Sequence, residues 1–318
     1  MFRGNGHVLD TTNSKTYFPL VSILLAVYRP DYRWLAKQLE SLNEQTYKNM
    51  ELLVYDDCPE EPVDEKIFEN YIDNFHYKII RGAENKGSNK AFEELTKIAN
   101  GELLAYCDQD DIWINNKIEL LVKLIREENA ILAYSDMSII DGNGESIAST
   151  LRQVRPRLIY IYGENLFEKL FFSNCIAGCC MLVNSEVAKE AIPFSKVTVH
   201  DQWICMIASY SGKIAFIDKQ LVKYRIHSNN QTGILTGVHD KSDYYKIRLN
   251  PLKQRINEVN KCIDLDLNNI EMFYEARMNK DILKIFKYRY LSKKEAYFEI
   301  VIKYMPNWLF KKIIKKLK

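Results

Sequence analysis

Apolar residues fall in short unbroken blocks over the first 130 positions, each followed by a polar stretch or a stretch of helical spacing. Val21–Val27 (VSILLAV) is a continuous run closed by Tyr28, Arg29 and Pro30, the pattern of a strand buried on both faces of a parallel sheet. Asp31 stands where a helix cap belongs, and Trp34, Leu35, Leu39 and Leu42 recur at helical spacing until Gln45 and Thr46. Glu51–Tyr55 predicts a second strand that runs into Asp56, Asp57, Cys58 and Pro59, and His76–Arg81 a third. The loop 82–88 leads to a helix predicted from Asn89 to Ala99, with Gly101 as its stop. Glu102–Cys107 predicts a fourth strand, which discharges into Asp108, Gln109, Asp110 and Asp111, and Ile112–Glu128 reads as helix. This alternation is βαβ logic, so the fold class is α/β with a doubly wound, mostly parallel central sheet.

Beyond residue 130 the pattern loosens. Ile131–Tyr134 predicts a strand, Asp141–Gly144 a turn, Cys175–Val183 a buried strand followed by Ser185 as a helix cap, and Asp201–Tyr210 a helix. Lys213–Ile217 and Leu221–Arg225 read as two short strands, and from Asp240 the chain is helical and rich in Lys and Tyr. The expected division is an extension over 1–18, a sheet domain over 19–235 with halves 19–130 and 131–235, and a helical region over 236–318.

Composition narrows the class. With 318 residues, 47% hydrophobic, 12 Gly and 8 Pro, the chain is no collagen, disordered segment or disulfide scaffold. A net charge of +2 argues against a generic nucleic-acid binder, but residues 281–318 carry +8 and the first 280 carry −6. Seven scattered cysteines, mostly in apolar runs, read as reduced thiols of a cytoplasmic protein. Cys175, Cys179 and Cys180 lack the paired spacing of a zinc site. The sequence is polar through Tyr17, without a signal-peptide block, and its longest uncharged stretch, Leu170–Ser185, is too short and polar to span a bilayer.

The chemistry gathers at strand ends, where an open α/β sheet places its ligands. Three carboxylates in Asp108–Asp111 repel one another unless a cation joins them, and hard oxygen ligands suit Mg²⁺ or Mn²⁺ held with substrate phosphates; a solvated acidic turn capping the next helix is the competing reading. Asp56 and Asp57 end a neighbouring strand, where one can accept a hydrogen bond from a nucleobase or Asp57 can form an Asx-turn. Asn85, Lys86 and Gly87 make a polar loop before a helix, suited to a nucleotide. Asp201 in His200–Trp203 is either a base or an N-cap. Tyr224–Asn230, with Arg225 and His227, is a donor cluster for a diphosphate or metal, or a polar loop.

The ordered combination VSILLAVYRP, ELLVYDD, ENKGSNKAFEELTKIANGELLAYCDQDD, CIAGCCMLVN, HDQW and YRIHSNNQTG resembles the inverting family 2 glycosyltransferases of the GT-A fold, bacterial polysaccharide branch. That resemblance runs from Val21 to Gly233. It implies that Asp56 and Asp57 match the acidic pair at the uracil or thymine base, Asp108 the DxD carboxylate toward ribose and phosphate, and Asp110 the one toward the divalent metal. It further implies Asp201 as general base and His227 as the histidine near metal and diphosphate, with 19–130 binding the nucleotide-sugar and 131–235 facing the acceptor. Two departures stand out: DDCP replaces the usual DDGS, and His200 precedes the base where many relatives have Glu.

DQDD followed by Ile112 and Trp113, together with HDQW, most resembles rhamnosyltransferases, which implies dTDP-L-rhamnose as donor, with a UDP-hexose as the alternative. The implied partners are a nucleotide-diphospho-sugar and a saccharide acceptor, lipid-linked, with no nucleic acid; homo-oligomerisation stays open. A nucleotidyltransferase would need a Gly-rich phosphate loop, and residues 27–33 contain no Gly. An inactive sugar- or partner-binding module would have lost Asp110 or Asp201, and both are present. In the tail, Leu309, Phe310, Ile313, Ile314 and Leu317 share one helical face with lysines around the rest. That pattern suits a helix lying on the anionic inner face of the cell membrane; packing of the same face on the domain is the competing reading.

Overall fold

The computed structural model describes residues 17–227 and 237–317. Its sheet contains, among the described residues, β1 (Val21–Val27), β2 (Met50–Asp56), β3 (His76–Arg81), β4 (Leu103–Cys107), β5 (Ile112–Trp113), β6 (Leu132–Ile140), β7 (Ser146–Ala148), β8 (Met181–Asn184) and β9 (Ile214–Arg225). The spatial order is β3-β2-β1-β4-β8-β6-β9-β5, with β7 on β6. β1 pairs in parallel with β2 and β4, and β2 with β3. Strand order therefore reverses at β1, which puts a crevice beyond its C-terminal end, between the loops leaving β2 and β4.

Period-two burial along the strands builds two cores. Val21, Ile23, Leu25 and Val27 face the helices Tyr32–Asn43 and Lys117–Glu128 through Leu35, Leu39, Ile118 and Leu121. Leu24, Leu53, Leu104 and Tyr106 face the other side, where Phe92 of the helix Ser88–Ile98 and Trp203 of the helix His200–Ser211 pack. The same second core takes in Leu249, Ile256, Phe273 and Ala296 of the C-terminal helices. The helical region is therefore built onto one face of the sheet.

The second half of the sheet is mixed. β8 runs antiparallel to both β4 and β6, and β9 parallel to β6. Lys213–Ile217 and Leu221–Arg225 form one strand, not two. The charged Asp218 and Lys219 that suggested a break fall where the β6–β9 register shifts beside Asp136. Ile112 and Trp113 pair with Lys223 and Val222 of β9 instead of opening a helix, which starts only at Lys117. In Cys175–Val183 only the last three residues extend into β8; Gly178–Cys180 is a 3-10 turn and the preceding residues line the cleft.

The tail helix Asn307–Leu317 does not offer its apolar face to a membrane. Phe310 and Ile314 are 1% and 2% exposed and pack with Val238, Tyr244 and Ile302. The Phe310 ring lies 6.2 Å from that of Tyr244 and 6.4 Å from that of Phe298. An aromatic surface of the same chain covers the stripe that the sequence left unpartnered. No helix of the described residues is long and apolar enough to cross a membrane.

Candidate active site

One cleft of about 1860 Å³ is lined by Tyr28 and Arg29 after β1, Asp57 after β2, and Asp108 to Asp110 after β4, with Asp201 and His227 from the second half. Parallel pairing of β1, β2 and β4 is what brings the first three groups to one edge. Gln109 ties two of these loops together: its Oε1 accepts from Tyr28 N at 2.8 Å and its Nε2 donates to Tyr28 O at 3.0 Å.

Asp108 and Asp110 both face the cleft. Burial, followed by the charges of Asp110 and Asp201, pushes the Asp108 carboxyl well above the usual range. Asp110 Oδ2 lies 2.6 Å from His227 Nε2, and the imidazole packs against Trp34 with ring centroids 4.8 Å apart and planes tilted by 39°. His227 thus contacts the carboxylate, and the same nitrogen can ligate a cation only by giving up that bond.

Asp111 turns the other way. It is fully buried, accepts from Arg225 N at 2.9 Å, and has one oxygen without a partner among the described residues. Ligand atoms of Asp108, Asp111 and Cys179 lie within 4.8 Å of one another, but burial and neighbouring carboxylates raise Asp111, and the Cys180 contact and burial raise Cys179. A protonated thiol facing a carboxylate is a poor cation cage. Asp108 and Asp110, open to the cleft and mutually repelling, fit a divalent cation better.

Asp201 enters from the opposite wall, on the first turn of the helix His200–Ser211. Its Oδ1 accepts from Asn174 Nδ2 at 2.9 Å and from the Gln202 amide. Burial raises its carboxyl to about 6, against the lowering effect of bonds from Gln202, Gly178 and Asn174. A carboxylate with that value is ionised at neutral pH yet far more basic than an exposed Asp. His200 is no charged partner for it: burial lowers the imidazole to about 3, and the ring packs 4.2 Å from Phe92 and 5.4 Å from Tyr106. His200 Nε2 also lies 2.6 Å from the position a Cβ on Gly178 would take, so the turn over the ring needs glycine.

Not every predicted residue reaches the cleft. Asp56 accepts from Cys58 N at 3.2 Å, Val63 N at 2.8 Å and Arg81 Nη1 at 2.9 Å; it anchors the loop after β2 and does not line the cleft. The side chain of Lys86 is exposed outside the lining, and its amide, with that of Gly87, donates to the two oxygens of Asp57 at 2.7 Å each. Asp57 therefore faces the cleft while bracing the loop that carries Asn85 and Gly87, both lining residues. Gly87 takes φ +79°, a left-handed conformation that favours glycine.

Arg225, predicted to hold a diphosphate, is buried and binds backbone instead: Nε donates to Asp110 O and Nη1 to Asp141 O, each at 2.8 Å. It positions Asp110 from behind. Residues 228–233 of the YRIHSNNQTG match lie outside the described residues.

Three positioning side chains escaped sequence reasoning. Besides Gln109 and Asn174, Asn89 donates to Ser195 O at 3.1 Å and Thr198 O at 2.8 Å and accepts from His200 N at 2.7 Å. It fastens the segment that leads into the Asp201 helix to the helix after the Asn85–Gly87 loop. Such side-chain amides carry no periodic signal, so only contacts across 27 to 111 residues reveal them.

The fold is an α/β sheet with an acid-lined crevice at its switch point. The profile of Glycosyl transferase family 2 matches residues 22–191, and the chain belongs to that family. The Escherichia coli UDP-Glc:alpha-D-GlcNAc-diphosphoundecaprenol beta-1,3-glucosyltransferase WfgD is 28% identical over 213 residues, 66% of this chain and 79% of its own. An uncharacterized glycosyltransferase of Methanocaldococcus jannaschii is 28% identical over 215 residues, 65% of this chain and 71% of its own. Among solved structures, S. aureus TarS residues 1–349 superimposes with a TM-score of 0.55 at 18% identity, covering 83% of this chain and 74% of that one. The same protein in complex with UDP-GlcNAc gives 0.54 at 16% identity, covering 87% and 82%. The fold is GT-A.

Replacing Asp201 by Asn keeps the shape and removes the basicity. Transfer to acceptor should fall at least about 100-fold while nucleotide-sugar binding, read by calorimetry, stays within about twofold. In the native enzyme the carboxyl is protonated below its value of about 6 and cannot take a proton, so kcat should decline as pH falls through about 6. A flat profile from pH 5 to 8, or a D201N enzyme with near-native turnover, would remove Asp201 from the role of base.

Proposed function

We propose that the chain is an inverting, divalent-metal-dependent glycosyltransferase that moves a hexosyl or deoxyhexosyl unit from a nucleoside diphosphate to a hydroxyl of a saccharide acceptor. The observation that carries this reading is that Asp108 and Asp110 line the same cleft as Asp201 from opposing walls. Asp57 and the Asn85–Gly87 loop are assigned to the nucleoside, and Asp108 to the ribose and phosphate side. Asp110, steadied by His227 and by Arg225 at its backbone, is assigned to the metal. A Mg²⁺ or Mn²⁺ bound by these carboxylates offsets the charge developing on the departing diphosphate. Asp201 takes the proton from the acceptor hydroxyl as that oxygen attacks the anomeric carbon opposite the leaving group, so configuration inverts and no covalent sugar–enzyme intermediate is required.

For the donor, a UDP-hexose is favoured. The similarity to WfgD and TarS, whose names carry UDP-Glc and UDP-GlcNAc, supports it. The rhamnosyl resemblance leans on Trp113 and Trp203, and both are core residues. Trp113 is 2% exposed with Lys117 over its ring, and Trp203 is fully buried with its Nε1 donating to Ala191 O at 2.7 Å. Packing accounts for these tryptophans, so dTDP-L-rhamnose is the second reading. For the acceptor, the lipid-diphosphate sugar in the name of WfgD supports a lipid-linked saccharide of bacterial surface polysaccharide synthesis.

A membrane-facing surface is assigned to a different face from the one the tail pattern suggested. On the helix Lys293–Tyr304, Tyr297, Val301 and Tyr304 are 51%, 55% and 71% exposed at helical spacing, and Trp308 continues the row at 67%. Leu283, Phe286 and Tyr290 are exposed on the preceding segment, within the region of +8 charge. Aromatic residues interleaved with lysines suit an anionic bilayer surface, each Lys contributing about 1 kcal/mol there.

Two measurements follow. In a panel of UDP- and dTDP-sugars with Mn²⁺, a UDP-hexose should give the fastest nucleoside diphosphate release, EDTA should abolish it, and Asp110→Ala should lower it at least about 100-fold; undiminished release by the variant would refute the metal assignment. Tyr304→Ser with Trp308→Ser, which spares the buried Phe310 and Ile314, should weaken co-sedimentation with anionic vesicles by about tenfold. Unchanged sedimentation would remove that face from the membrane.

A further inference from the structure

The cleft is divided by charge. Its donor side carries Asp31, Asp57, Asp108 and Asp110 with a single cation, Arg29, whereas the side formed by the C-terminal helices and the loop after Leu151–Val154 is lined by Arg155, Arg157, Arg248, Arg255 and Lys294. The side chains of Arg155, Arg157, Arg248 and Lys294 are exposed and make no hydrogen bond or ion pair among the described residues. Glu295, an acid of the same wall, is bonded to Arg277 at 3.0 Å, and that arginine also meets Glu299 at 3.2 Å. Glu258, one turn from Arg255, is turned to Ser195 Oγ at 2.6 Å and Lys196 N at 3.4 Å. Arg155, Arg157, Arg248 and Lys294 thus have no carboxylate paired to them among the described residues, and Glu258 acts on Arg255 only through space.

Arg255 is the fixed member of this set. Its Nη1 donates to Phe171 O at 2.6 Å and its Nε to Thr198 Oγ1 at 2.9 Å, with the guanidinium 5.4 Å from the centroid of the Phe171 ring. Burial lowers it only to about 10, so it stays charged. Both anchors belong to segments that hold the base: Phe171 precedes Asn174, the donor to Asp201, by three residues, and Thr198 precedes Asp201 by three. Three residues span at most about 11 Å, so both anchors of the guanidinium lie close along the chain to the groups that carry and hold Asp201.

We propose that this cationic wall binds a phosphate or diphosphate ester carried by the acceptor, adjoining the sugar whose hydroxyl meets Asp201. Arginine forks recognise phosphate oxygens bidentately, and five cations match a multiply charged group better than a single carboxylate. The inference rests on the glycosyltransferase reading. It deepens that reading by assigning recognition of the acceptor's linking phosphate to Arg155, inside the family match at 22–191, and to Arg248 and Arg255 on helices beyond it.

The test uses the full chain in EDTA without donor, so that binding is read apart from catalysis. 11-Phenoxyundecyl diphosphate, 11-phenoxyundecanol and inorganic pyrophosphate are titrated by calorimetry. The lipid diphosphate should bind at least tenfold more tightly than the alcohol, and Arg155→Ala with Arg248→Ala, both at exposed positions, should weaken it at least tenfold. Arg255→Lys, which keeps charge but loses the fork and its bonds to Phe171 O and Thr198 Oγ1, should weaken it severalfold and also lower the melting temperature, so the exposed double substitution is the deciding variant. Pyrophosphate binding as tightly as the lipid diphosphate would assign the wall to phosphate from any source, including a soluble phosphorylated saccharide. Equal binding of the alcohol and the diphosphate, or indifference to the double substitution, would overturn the proposal. If native enzyme still releases nucleoside diphosphate from a UDP-sugar with Mn²⁺ in that event, only the acceptor assignment falls.

Discussion

Repulsion among Asp108, Asp110 and Asp201 across a partly buried cleft is the constraint around which the rest of the molecule is organised. Parallel strands force the first two to a common edge, and the helix His200–Ser211 delivers the third from the far wall. Such a cluster is costly unless cations or hydrogen bonds offset it. The protein offsets only part of it: His227 touches Asp110, and Asn174 with neighbouring amides holds Asp201. Asp108 is left raised by its neighbours. The remaining demand is for positive charge, which a divalent cation held by Asp108 and Asp110 would supply.

The surroundings keep these acids in register. Gln109 clamps the β1 and β4 loops, Asn89 fastens the base helix, and Arg225 grips the Asp110 carbonyl together with the Asp141 turn. On the proposed reading, a donor diphosphate and an acceptor phosphate in one cleft would repel each other, and separating the acidic pole from the arginine pole would let both enter.

The first three strands were legible because each is an apolar run ended by polar residues, and the observed limits differ from the predicted ones by no more than a residue. The acidic strand ends were equally visible, since carboxylates directly after an apolar strand have few structural reasons to be there. What escaped is what depends on partners distant in sequence. Ile112 and Trp113 look helical until β9 pairs with them, and Asp218–Lys219 looks like a break until β6 accommodates it with a register shift. Asp56 and Arg225 resemble ligand groups by type, yet both are spent on local loops. The apolar stripe of the tail is legible in the sequence, but the choice between a membrane and the domain as its occupant is not, because its aromatic partners lie in other helices.

The central claim, that the acid cluster becomes a nucleotide site through a shared cation, is tested most directly by calorimetric titration of UDP into the native enzyme with Mn²⁺ and with EDTA. The account expects UDP to bind at least about tenfold more tightly with the metal, a difference of about 1.4 kcal/mol, with Mg²⁺ acting in the same direction. Equal affinity in the two conditions would contradict it.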